Sequence, residues 1–63
     1  MLEFLLILHS NPTQASTTAI LRVDTEETAK DRARAIAHHD GRAVELWRNQ
    51  QMVARFSPPD SSD

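Results

Sequence analysis

The chain has 63 residues, 40% of them hydrophobic and 25% charged, with one Gly, three Pro and no Cys. That composition belongs to one small globular domain rather than a disordered or collagen-like segment. It also excludes disulfides and cysteine-ligated zinc. Seven Lys and Arg against nine Asp and Glu give a formal net charge of −2, which disfavours a general nucleic-acid binder, a class normally strongly basic at this size.

Residues 2–9 form an apolar run that stops at His9 and carries the acidic Glu3 near its start. A secretory signal needs a basic leading region, and a membrane span needs about 20 apolar residues. The run therefore predicts a strand covered on both faces, and the protein is expected to be soluble and cytoplasmic. Asn11-Pro12 signals a turn. Residues 17–23 hold the β-branched Thr17, Thr18, Ile20 and Val23 and predict a second strand.

Asp24 is the expected helix N-cap, with Glu27 three residues on completing a capping-box pair. Ala29, Ala33, Ile36 and Ala37 recur with helical spacing as a single apolar stripe of small side chains. Gly41 is placed to end the helix in the left-handed conformation.

Beyond Gly41 the period falls to two, predicting strands over 42–48 and 52–57 around the turn Asn49-Gln50-Gln51. A three-residue loop opposes Arg48 to Met52 and sets Val44 against Phe56 and Leu46 against Ala54 on one face. Glu45 then meets Arg55, and Trp47 meets Val53, on the other. A two-residue loop sets Val44 against Arg55 and mixes the faces, so burial and charge pairing favour the longer loop. Residues 57–63 contain Pro58-Pro59 and no apolar side chain able to dock, so they are expected to form a disordered C-terminal tail.

Residues 1–56 thus predict a single small α+β domain of order β-β-α-β-β, one helix packed on one face of a four-stranded sheet. A protein-G-like strand order with the first strand central fits its apolar character. The uncovered face is expected to carry Trp47 and Val53. It also carries one alternate set from the first strand, either Leu5 and Ile7 or Phe4, Leu6 and Leu8. With the former set, Leu5, Ile7, Trp47 and Val53 form the expected interface, and a contiguous exposed apolar patch marks an association surface. A core this small gains from burial between chains, so the expectation is a homodimer formed through the open face or along the first strand, with an unknown protein partner as the other possibility.

Three clusters carry residue types that bear on chemistry. Neighbouring helical residues point about 100° apart, so His38-His39-Asp40 reads as a polar helix end rather than a metal site, with His9 the only other histidine. Lys30 and Arg34 are offset by Glu26 and Asp31 at helical spacing. An auxiliary nucleic-acid-binding or regulatory role would rest on Arg42, Trp47 and Arg48, with Arg32 as a further cation and Trp47 as a stacking platform. Nothing pairs a nucleophile with a base, and there is no Gly-rich phosphate loop. Tautomerases of similar size need Pro directly after the first Met, where this chain has Leu2. The expectation is a non-enzymatic protein without cofactor or metal.

Val23-Asp24-Thr25-Glu26-Glu27, then Ala33-Arg34-Ala35-Ile36-Ala37, then Gly41-Arg42 and a hairpin resemble small uncharacterised bacterial proteins. These share a strand, a D-T-x-E helix start, an A-R-x-x-A helix and a terminal hairpin. The resemblance runs from Thr18 to Phe56 and implies the same β-β-α-β-β fold, without an activity. Such proteins usually carry Gly in the final turn, where this chain has Asn49-Gln50-Gln51.

Overall fold

A computed structural model describes residues 1–58. Two hairpins flank one helix: β1 (Leu2–Leu8), β2 (Thr17–Val23), α1 (Glu26–Asp40), β3 (Val44–Arg48) and β4 (Gln51–Phe56). This is the expected β-β-α-β-β chain order. The residues expected as a tail lie, from residue 59 onward, outside the described residues.

The four strands form one sheet in the order β2-β1-β3-β4, with every neighbouring pair antiparallel. The first strand is central, as its apolar sequence suggests, but the protein-G-like order is corrected. There β1 would lie beside the last strand; here it lies beside β3, with Leu8 opposite Val44 and Leu5 opposite Trp47. Since β1 is paired on both edges, association along the first strand is closed, which corrects that half of the dimer expectation.

Alternation along β1 assigns the faces. Phe4, Leu6 and Leu8 are buried under the helix with Val23, Val44 and Leu46, leaving Leu5 and Ile7 on the opposite side, so the strand is covered on one face and not, as expected, on both. The helix meets this layer through Ala29, Ala33 and Ala37, each 0% exposed. Alanine leaves no side chain beyond Cβ, so the helix backbone lies close to the sheet and the large side chains come from the strands. Ile36 is half-buried at the margin.

Thr25, not Asp24, is the N-cap. Its backbone is extended and its hydroxyl accepts from the Thr28 N–H at 3.1 Å, while the two threonine hydroxyls are 2.9 Å apart. The helix therefore starts one residue later than the capping-box reading requires. At its other end Gly41 has φ 65° and donates its N–H to the Ala37 carbonyl, as the lone glycine was expected to do.

The β3–β4 hairpin corrects the expected loop. Arg48 pairs with Gln51, so the loop has two residues, Asn49 and Gln50, both at positive φ (53° and 64°). That is the left-handed turn whose twist suits a hairpin. The face-mixing that argued against a short loop is removed by a bulge. The register shifts between Leu46, which faces Ala54, and Trp47, which faces Met52, so Val53 is the extra residue. Val44 still meets Phe56, and Glu45 still meets Arg55. Val53, expected opposite Trp47, packs instead against the core beside Ala54 and Phe56.

Candidate interaction surface

The registers of the three strand pairs place four apolar residues in one line across the uncovered face. Ile20 is opposite Leu5, Leu5 is opposite Trp47, and Trp47 is opposite Met52. The line crosses all four strands, and three of its members are well exposed: Ile20 at 58%, Met52 at 44% and Leu5 at 37%. Trp47 is half-buried, as is Ile7 one row further along. Among the described residues no element lies over this face, because the single helix packs on the other.

Polar pairs bracket the line. On one side Arg22 Nε donates to Glu3 Oε2 at 3.1 Å between directly opposed residues; both are exposed, so the pair contributes little stability. On the other side the Glu45 carboxylate accepts from the Trp47 indole N–H at 2.9 Å. Its second oxygen is 2.6 Å from His9 Nε2. The indole hydrogen bond, then that of His9, holds the Glu45 carboxyl below the usual carboxylate range, against a smaller opposing effect of burial. Trp47 is thereby fixed by its polar edge while its apolar body stays in the line. Beside it lies a shallow groove of about 230 Å3, lined by Leu5, Ile20, Trp47 and the hairpin turn at Asn49 and Gln50.

Of the expected interface residues, Leu5, Ile7 and Trp47 share this face, while Val53 belongs to the core side. Ile20 and Met52 complete the line and were not among the sequence candidates. Ile20 could have been found by pairing the first hairpin symmetrically about its turn. Met52 could not, because the bulge that aims it leaves no apolar-spacing signal.

Arg42, one of three residues in the nucleic-acid alternative, is corrected more sharply. It is 7% exposed. Its Nη1 donates to the Ala15 carbonyl at 2.9 Å, and its Nε, with no hydrogen-bond partner among the described residues, is 3.9 Å from Asp40 Oδ2. Arg42 thus ties the β1–β2 connection to the end of the helix. Asn11 does the same from the other side: its side-chain N–H donates to the Asp40 carbonyl at 2.9 Å, while its oxygen accepts from the Gln14 N–H at 2.7 Å. Arg48 lies over the Phe4 ring, 5.8 Å from its centre, apart from Arg42.

The helix-end histidines do not converge. His39 Nδ1 is 2.9 Å from Asp40 Oδ1, and His9 is engaged with Glu45. Among the described residues no group of three or more His, Asp or Glu is arranged to hold a metal ion, and no helix is long and apolar enough to cross a membrane. Comparison with protein-family models, with curated proteins and with solved structures found no match to this chain.

Proposed function

We propose that this protein is a non-catalytic protein-interaction module that self-associates as a homodimer through the open face of its sheet. The observation that carries the reading is the line Ile20, Leu5, Trp47 and Met52, which crosses every strand of the sheet with no cover. Contiguous apolar surface with a polar rim is the usual anatomy of an association site, and Trp is among the residues most often dominant there. The bracket formed by Glu3 with Arg22 and by Glu45 with His9 supplies that rim.

The alternative, an auxiliary nucleic-acid binder, is less well supported. Its stacking residue Trp47 is held by Glu45, and the buried Arg42 is engaged by the Ala15 carbonyl, so the two do not combine with Arg48 into one basic, aromatic surface.

Sedimentation velocity across low to high micromolar concentration tests the reading. A shift from 7.1 kDa toward twice that mass is expected, accompanied by a concentration-dependent change in Trp47 fluorescence. A monomer persisting at high micromolar concentration removes it. Trp47 fluorescence unmoved by concentration but quenched by an added oligonucleotide at low salt would favour the alternative.

A further inference from the structure

The two outer strands of the sheet are built differently. The β4 edge carries the usual devices against further pairing: a bulge at Val53 and the charged Arg55 within a short strand. The β2 edge lacks the bulge. Its seven residues, TTAILRV, contain no Pro, Gly or Lys, and they pair with β1 without a register shift. Its one charge, Arg22, already faces Glu3 on the neighbouring strand. The first four residues, Thr17 to Ile20, are exposed, among them Thr17 and Ala19 on the helix side, opposite Leu8 and Leu6. A groove of about 370 Å3 separates Leu21 of β2 from Arg32, Ala35, Ile36, His39 and Asp40 of the helix.

We propose that β2 pairs antiparallel with β2 of a second copy, about a two-fold axis at Ile20, to make one continuous eight-stranded sheet. Three observations select this occupant and register. Opposed residues must share a face, so only registers centred on a residue are allowed. Centring on Ile20 alone uses all seven residues, opposing Thr17 to Val23, Thr18 to Arg22 and Ala19 to Leu21. It also sets Ile20 against Ile20 of the second copy, so the apolar lines of the two open faces join into one; centring on Leu21 would oppose Ile20 to Arg22 and break the line. Finally, the same axis turns the two helix-side grooves toward each other with their helices antiparallel. Arg32, which among the described residues has no carboxylate within ion-pair distance in its own chain, lines that groove.

This pairing rests on the preceding reading's premise that the chain self-associates; it places the two-fold of a pair of chains at a strand edge, which leaves the open faces free to associate pair with pair. The chain has no cysteine, so a single introduced one reports on the axis. Ile20→Cys is expected to oxidise to a covalent dimer, because directly opposed residues of antiparallel strands lie within disulfide reach. Ala19→Lys, exposed on the helix side of β2, should slow that cross-linking at least about tenfold and weaken association of the otherwise unmodified chain. Met52→Lys, on the far edge of the open face, should leave cross-linking unchanged. Cross-linking lost in Met52→Lys and kept in Ala19→Lys would overturn the edge pairing while leaving open-face association standing. Cross-linking no faster for Ile20→Cys than for Met52→Cys would also overturn it. Circular dichroism of each variant, matching the parent chain, separates lost pairing from lost folding.

Discussion

The two faces of the sheet use opposite materials. The covered face is closed by alanines of the helix against large strand side chains, with Phe4, Val44 and Leu46 the largest that are fully buried. The open face reverses this, with large apolar residues facing outward and a hydrogen-bonded acid, Glu45, holding the edge of Trp47. The comparison teaches that apolar content alone does not locate the core: Leu5 and Leu6 are adjacent in β1, yet Leu6 is 3% exposed and Leu5 37%. What separates them is the helix on one side only.

Variants on the covered face should have the largest effects on folding. Phe4→Ala removes a ring that is 1% exposed, and the resulting cavity should cost about 3–5 kcal/mol, read as a lowered urea midpoint with an unchanged slope. Ala33→Leu tests the close approach of the helix from the other direction. Ala33 is 0% exposed on the sheet side of the helix, so a loss of about 1–3 kcal/mol from overpacking is expected; a neutral result would mean the helix can move off the sheet at little cost. Thr25→Ala should cost about 1 kcal/mol through the lost cap, whereas Asp24→Ala should change stability by less. If the two effects are reversed, the helix begins at Asp24.

The open face should respond in association as well as in folding. Leu5→Ser should lower stability of the monomer by about 1–2 kcal/mol, less than Phe4→Ala because the side chain is 37% exposed, and weaken self-association measured by sedimentation. The smallest effect is confined to acid. Because the folded-state Glu45 pKa is lowered, its contribution is fully present above the ordinary glutamate value of 4.5 and is lost as pH falls through the lower folded value. Denaturation midpoints followed through that interval should fall less steeply for Glu45→Gln than for the parent chain, and an equal slope would show that the carboxylate is not selectively stabilised.

Much of the fold is legible because neighbouring signals agree. The alanine stripe marks the buried face of the helix, the single glycine its end, and the alternation after it a second hairpin, whose strands run Val44–Arg48 and Gln51–Phe56 rather than 42–48 and 52–57. The sequence misleads where two signals compete within a residue or two. Asp24 and Thr25 are both good caps, and Thr25 prevails where Thr28 supplies both an N–H and a hydroxyl partner. In the second hairpin, parity of the apolar positions argued for an odd loop, but the backbone takes the short turn and absorbs the parity in a bulge. Neither the bulge nor the neighbour of β1 is written in local periodicity, because both are settled by pairing between distant segments. The candidate surface inherits these limits: Leu5 and Trp47 follow from alternation, whereas Met52 depends on the bulge. The bond between His9 and Glu45 depends on β1 lying beside β3.

The seam between β1 and β3 has a consequence for the order of events in folding. Each hairpin closes over a short stretch of chain, but the seam joins Leu8 to Val44 across β2 and the whole helix. Closing a longer loop costs more chain entropy before any contact offsets it, and distant pairings slow folding accordingly. Two hairpins that form early and wait for each other define the expected rate-limiting step. In that picture Leu6 and Leu46, opposed in the seam, belong to the folding nucleus, and conservative truncation there should slow folding more than it speeds unfolding.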